Sequence, residues 1–304
     1  LQWIKEGSLR VHKGLDNLPK IKYPVVTIGS FDGVHHGHRM IIQSLLDATK
    51  IANGESVVVT FDPHPRQVVN PNDKSLRLLS TLSEKIDLLR ATGIDHLIII
   101  PFTIAFSQIN PRLYVEDVLM KKIDVHHLII GYDHRFGLKR KGDIKLLTEY
   151  ANEGKFSLDE IQEQAIDELH ISSTTIRKYI TSGDIEKANK LLVEPYSLRG
   201  SVKHGQKVAR DLGFPTANID VDVAIKLIPS PGTYAVKAVC DDQAYTGMLY
   251  IGKSQTLLQS DTLSIEVNLF EQISEQLYGK EISVQLLKFI RPDQLFLQIL
   301  PQLF

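Results

Sequence analysis

Residues 25–42 read VVTIGSFDGVHHGHRMII, and this stretch decides the fold of the first half of the chain. The run 25–28 is apolar or β-branched throughout, as expected for a strand buried on both faces. Glycines at 29, 33 and 37 predict a tight turn over 29–37. Ile41, Ile42, Leu45, Leu46 and Ala48 follow at the spacing of one helical face. A strand running through a short turn into a helix puts that turn at the carboxyl edge of a parallel sheet, where open α/β folds bind ligands. The helix start presents unpaired N–H groups and partial positive charge, which favour an anionic phosphate. His35 and His38, in HxGH spacing, add two imidazoles that can donate to phosphoryl oxygens. Together these features predict a nucleoside triphosphate site. A metal centre on His35, His36 and His38 is the weaker reading, because no cysteine or carboxylate completes a tetrahedral set. His36 is expected to face solvent.

The alternation continues outward from this unit. A lead-in over 1–24 contains one strand-like piece. Residues 57–61 read as a second strand, stopped by Asp62-Pro63-His64-Pro65. A helix is expected over 80–92, where Leu82, Ile86 and Leu89 share a face. A third strand at 97–100 ends in Pro101-Phe102, followed by a helix over 111–122. A fourth strand at 127–130 ends in the segment 131–137, GYDHRFG, and a helix follows over 143–151. Strand alternating with helix is the pattern of a doubly wound parallel sheet. The run Lys139-Arg140-Lys141 is expected to be a solvated turn, His126 and His127 to be structural, and His64 either to cap a turn or to serve the site. Ser172-Ser173-Thr174-Thr175-Ile176-Arg177 opens a helix whose hydroxyls and N–H groups suit a second anion contact, and a short helix follows over 184–192.

After Pro195 the pattern changes to short strands at 196–203, 233–239, 244–251, 263–270 and 282–289. They predict an all-β barrel or sandwich, closed by a helix from about Asp293. Ser264-Ile265-Glu266-Val267-Asn268-Leu269 alternates as a half-buried strand with one polar face. The expected domains are residues 1–183 and 184–304.

Composition narrows the function classes. The 304 residues carry a net charge of −1, so nothing argues for bulk nucleic-acid or membrane-surface binding. No apolar run reaches the ~18 residues of a membrane span, and the first residues lack the apolar core of a secretory leader. The single cysteine, Cys240, excludes an internal disulfide, reads as packing, and fits a reducing cytoplasm. Small molecules are the expected partners.

The segments GSFDGVHHGH, FDPHP, GYDHRFG and ISSTTIR, in that order, resemble the adenylyltransferase half of bacterial bifunctional FAD synthetases. RGSVKHGQKVARDLGFPTANI, PGTYAV, SIEVNLF and QLYGKEISVQLLKFIR resemble the riboflavin kinase half of the same family. The likeness runs from about residue 24 to 296. It implies a nucleotidyltransferase domain followed by a kinase barrel, with ATP, riboflavin and FMN as substrates, FAD as product and Mg²⁺ as cofactor.

For adenylyl transfer the resemblance implies that His35 and His38 contact the ATP phosphates and that Gly29, Ser30, Phe31 and Asp32 form the loop under the nucleotide. Ser172, Ser173, Thr174 and Arg177 would hold the leaving phosphates. Asp62, His64, Asp133 and the rings of Phe102 and Phe106 would meet flavin. For the kinase it implies Mg²⁺ and phosphate binding by Thr216 and Asn218, a general base in Glu266, and a glycine-containing loop from Gly200 through Gly205 to Lys207 against the nucleotide. Arg291 is expected in a loop over the flavin. On its residues alone, Thr216 to Asn218 also reads as a plain turn, and Glu266 as an ordinary exposed carboxylate. The chain departs from the family pattern at Val193, Ala209 and Gln255, where glycine, glycine and proline are usual. Other readings of the chain are a different nucleotidyltransferase, a synthetase whose barrel only binds flavin, and a non-catalytic flavin-binding regulator.

Overall fold

In a computed structural model of the chain, residues 9–73, 75–162, 171–203, 216–253, 263–271 and 277–293 are described. The chain divides into two units, Leu1–Thr175 and Ile176–Phe304. No helix among the described residues is long and apolar enough to cross a membrane.

The first unit is built on β1 (Arg10–Lys13), β2 (Pro24–Ile28), β3 (Glu55–Asp62), β4 (His96–Pro101), β5 (His127–Gly131) and β6 (Ser157–Ile161). They form one parallel sheet in the order β1-β4-β3-β2-β5-β6. Helices α1 (His36–Ala52), α2 (Pro65–Val69), α3 (Leu82–Arg90), α4 (Ile104–Ser107), α5 (Pro111–Leu113) and α6 (Ile144–Asn152) connect or flank the strands. Alternate residues of the central strands feed two cores. Val26, Val57, Val59 and Ile98 pack with Val118 and Leu147 on one face. Val25, Val58, Leu97 and Ile99 pack with Ile42, Leu45 and Leu89 on the other. Burial on both faces is why these strands read as unbroken apolar runs. β3 lies on one side of β2 and β5 on the other, so the strand order reverses at β2 and opens a crevice at its carboxyl end.

Three local expectations change. The helix expected over 111–122 is α-helical only through Leu113 and continues as a π-helix over Tyr114–Ile123, with Tyr114, Val115, Val118, Leu119 and Ile123 buried. β6 was not expected, because SLDEI is a half-exposed edge strand with no apolar alternation to betray it. The turn expected over 29–37 stops short, since α1 already begins at His36.

Helix α7 (Ser173–Thr181) spans the division between the units, and α8 (Ile185–Leu191) follows. The second unit is a closed antiparallel barrel of β7 (Ser197–Lys203), β8 (Thr216–Asp220), β9 (Gly232–Cys240), β10 (Gln243–Lys253), β11 (Leu263–Leu269) and β12 (Glu281–Pro292). The order around it is β10-β11-β8-β7-β12-β9, which settles barrel over sandwich. Inward residues alternate along each strand, as in Tyr234, Val236, Ala238 and Cys240 of β9 and Ile282, Val284 and Leu286 of β12. Cys240 is therefore core.

The barrel corrects two sequence expectations and removes a third alternative. Thr216 to Asn218 is strand, not turn. Arg291 lies in β12, paired with Thr233, rather than in a loop. Gly200 is also inside a strand, β7, and its role there is spatial. A Cβ at 200 would stand 2.2 Å from the Asp220 carbonyl oxygen of the neighbouring strand. Gly200→Ala should therefore destabilise the barrel by about 2–3 kcal/mol through overpacking. Differential scanning calorimetry should show a barrel transition lowered by roughly 10 °C. An unchanged transition with a raised KM for ATP would instead give Gly200 a role against the nucleotide. Gly205, Lys207, Ala209, Gln255 and the terminal helix expected from about Asp293 lie outside the described residues, as does everything after that residue.

Candidate active sites

The loop after β2 is tightly held. Phe31 and Val34 both take left-handed backbone angles, with φ of 47° and 38°. For a β-branched valine that conformation is strained, and strain of this kind concentrates at functional sites. Gly33 is at φ 81°, and a Cβ there would lie 2.8 Å from Leu79 Cδ1. Asp32 is 1% exposed. Its carboxylate accepts from the backbone N–H groups of Leu79 at 2.9 Å and Ser80 at 3.1 Å. Ser80 Oγ in turn accepts from Gly33 N–H at 3.0 Å. Asp32 thus fastens the loop to the segment before α3. Gly29 makes room for Phe31, whose ring would stand 3.0 Å from a Cβ at 29.

His35 is the N-cap of α1, and its Nδ1 accepts the backbone N–H of His38 at 3.3 Å. An accepting Nδ1 leaves the proton of the neutral ring on Nε2, where it serves as a donor. The two imidazoles stack with centroids 3.6 Å apart, and the Phe31 ring lies 5.0 Å from that of His38. His38 Nδ1 is buried without a hydrogen-bond partner among the described residues. Burial, the neighbouring His35 and Lys85 hold His38 well below the ordinary histidine pKa, so it is neutral at physiological pH. His36 faces solvent. Among the described residues no group of three or more His, Cys, Asp or Glu side chains is arranged to hold a metal.

Ser173, first residue of α7, donates its hydroxyl to the Asp32 carbonyl at 3.1 Å and so ties that helix start to the loop. Ser172 Oγ caps the helix, accepting from Thr175 N–H at 3.1 Å. Thr174 is exposed, and Arg177 stands one turn along the helix from Ser173.

The neighbouring strand ends bring up the remaining expected residues of this unit. Asp62 is exposed at the end of β3. His64 is buried and caps α2, its Nδ1 accepting from Arg66 N–H at 3.2 Å. Phe102 and Phe106 pack edge-on at 5.6 Å, both against Phe61, and each keeps part of its surface exposed. Asp133 is exposed after β5. Beside it, burial first and then Arg140 and Arg135 pull His134 down to about 4. Lys139 to Lys141 is the solvated turn expected. His127 pairs with Asp159 at 2.9 Å, a structural contact between β5 and β6.

In the barrel, register brings the kinase residues together. Glu266 of β11 lies opposite Asn218 of β8 on one side and Tyr250 of β10 on the other. Ser264 Oγ is 2.7 Å from Glu266 Oε1 and 3.3 Å from Asn218 Oδ1. Ile265, Val267 and Leu269 turn inward, leaving Ser264, Glu266 and Asn268 on the half-exposed face. Tyr250 donates to Asp293 Oδ1 at 3.0 Å.

Lys85, Thr60, Ser80, Ser264 and Tyr250 were not singled out from sequence. For Lys85 a signal existed. It stands on the same helical face as Leu82, Ile86 and Leu89, where an apolar residue is expected.

A family model for FAD synthetase matches residues 19–175, and one for riboflavin kinase matches residues 192–300. A bifunctional riboflavin kinase/FMN adenylyltransferase of Listeria monocytogenes is 36% identical, over 90% of this chain and 85% of that one. The protein of the same name from Escherichia coli K12 is 32% identical, over 95% of this chain and 91% of that one. A solved structure titled a macrolide-efflux protein from Streptococcus pneumoniae matches with a TM-score of 0.84 at 26% identity, over 96% of this chain and 94% of that one.

Proposed function

Because the chain belongs to the family of bifunctional riboflavin kinases/FMN adenylyltransferases, we propose which of its residues carry each reaction. The barrel transfers the γ-phosphoryl group of ATP to riboflavin, giving FMN and ADP. The α/β unit transfers AMP from a second ATP to FMN, giving FAD and pyrophosphate. The functional boundary falls between residues 183 and 184, so that α7 stays whole with the loop its Ser173 holds.

Adenylyl transfer needs no enzyme nucleophile. An oxygen of the FMN phosphate attacks the α-phosphorus in line, and the bond to pyrophosphate breaks. The protein positions the reactants and offsets developing charge. The observation that carries this reading is the His35 cap. It fixes the tautomer that leaves an Nε2–H donor at the helix start, with neutral His38 stacked beside it. Gly29, Ser30, Phe31 and Asp32 form the floor. Ser172, Ser173, Thr174 and the fork-shaped donor Arg177 hold the departing phosphates. Asp62, His64, Asp133 and the open faces of Phe102 and Phe106 receive the flavin.

For phosphoryl transfer, Glu266 takes the proton of the ribityl hydroxyl as its oxygen attacks the γ-phosphorus. Asn218 Oδ1 is a hard oxygen donor that fits Mg²⁺, an ion that keeps several waters, and Thr216 is assigned to the same ion on the family resemblance. When bound, that ion neutralises phosphate charge. Gly205, Lys207 and Arg291 are assigned to nucleotide and flavin on the family resemblance. A lone buried Cys240 suits a reducing compartment, and we place the enzyme in the cytoplasm.

The test is a time course with riboflavin, ATP and Mg²⁺, the flavins separated by chromatography. FMN should rise first and then give way to FAD. FAD formed only when FMN is supplied would show a barrel without kinase turnover.

A further inference from the structure

Beneath the loop of His35 and His38 lies a charged group that neither reaction above uses. Lys85, on α3, is 4% exposed, and its Nζ lies 3.5 Å from Thr60 Oγ1. Thr60 is fully buried in β3 and donates its hydroxyl to the Ser30 carbonyl at 3.2 Å. One chain of contacts therefore runs from α3 through β3 into the phosphate loop.

A buried ammonium is strongly disfavoured unless anions offset it. Burial does pull Lys85 below the ordinary lysine range, and the carboxylates of Asp32 and Asp62 pull it back. Asp32 itself is buried in the loop. Without a cation beside it, that carboxylate would repel an incoming triphosphate. The same ammonium acts on His38 from α3, while His35 acts on it from the loop.

We propose that Lys85 is a positioning residue for adenylyl transfer: its ammonium braces the loop at Ser30 through Thr60 and offsets Asp32 and Asp62, so that phosphate meets neutral histidine donors over a neutralised floor. The proposal rests on reading the HxGH loop as the adenylyl-transfer site. Lys85 touches no reacting atom and acts through Thr60, Asp32 and His38.

The experiment uses the full chain with FMN, ATP and Mg²⁺ across pH 5–9, while FMN formation from riboflavin and the thermal transition report folding. Lys85→Met should lower kcat/KM for FAD formation by about 10- to 100-fold. It should also move the acid limb of the profile to higher pH, since His38 then binds a proton more readily. Lys85→Arg should recover most of the rate and the parent limb. Thr60→Val, which keeps the charge and removes the brace, should cost about fivefold with the limb unmoved. A folded Lys85→Met protein with the parent rate and limb overturns the proposal, as does a lowered thermal transition with an unmoved limb. If Lys85→Met fails to fold, Thr60→Val decides, and a parent rate for that variant overturns the brace. His38→Ala separates the two readings. If it retains FAD formation, the site assignment falls. If it loses FAD formation while Lys85→Met does not, only the role of Lys85 falls.

Discussion

Glu266→Gln should stop FMN formation while FAD formation from supplied FMN continues. The substitution keeps the shape of the side chain and an oxygen for Ser264, whose hydroxyl stands 2.7 Å from Glu266 Oε1. What it removes is the ability to take a proton. General-base catalysis contributes about 10²- to 10⁴-fold. Phosphoryl transfer passes through a loose transition state in which the attacking oxygen bonds late, so the lower part of that range, about 10²- to 10³-fold in kcat, is expected. KM for ATP should hold, because the variant changes a proton acceptor and leaves Asn218 opposite position 266 in register. Initial rates of FMN formation on the purified variant check this. A loss of less than tenfold would make Glu266 an ordinary strand carboxylate, the reading its half-exposed position would otherwise favour. Equal loss of both reactions would defeat the assignment of the two activities to separate sites.

How much of this was legible in the sequence depended on the range of the contacts involved. The β2–loop–α1 unit was legible because it is local. Buried run, glycines and HxGH lie within 18 residues, and each constrains the next. The place of Glu266 on the polar face was legible because strand alternation puts residues 265, 267 and 269 on the other, whereas the role proposed for it came from the family resemblance. The bracing of the loop was not, because it joins residues far apart in the chain. Asp32 meets the backbone of Leu79 and Ser80, and Lys85 reaches Thr60, only once α3 has docked beside β3. Gly200 lies inside the strand expected over 196–203 yet was also read as opening a nucleotide loop, because glycine in sequence signals a turn and a close strand approach equally well. Only the Asp220 carbonyl oxygen, 2.2 Å from where a Cβ at 200 would stand, distinguishes them. Ser264 was hidden for a related reason. A serine two residues before a carboxylate is commonplace until β8 brings Asn218 alongside both.

His38→Ala should have the mirror effect, loss of FAD formation by about 10²- to 10³-fold with FMN formation from riboflavin continuing. It is a cleaner variant than His35→Ala. The cap on α1 runs from the His38 backbone N–H to His35 Nδ1, and alanine at 38 retains that N–H. Replacing His35 removes the cap itself and costs about 1 kcal/mol of stability as well as a donor. The pH profile of the parent adds an independent check. Burial, His35 and Lys85 lower the pKa of His38, so its neutral form persists as pH falls through 6.5. Its protonation would place a second cation near Lys85 at a site where burial already disfavours the charged ring. The acid limb of FAD formation should therefore lie below pH 6.5, and a limb at or above that value would show that His38 titrates as an exposed histidine does. The stacked pair explains why the low pKa is needed. Two imidazolium rings at 3.6 Å would repel each other, whereas two neutral rings can stack and still present N–H donors to one phosphate.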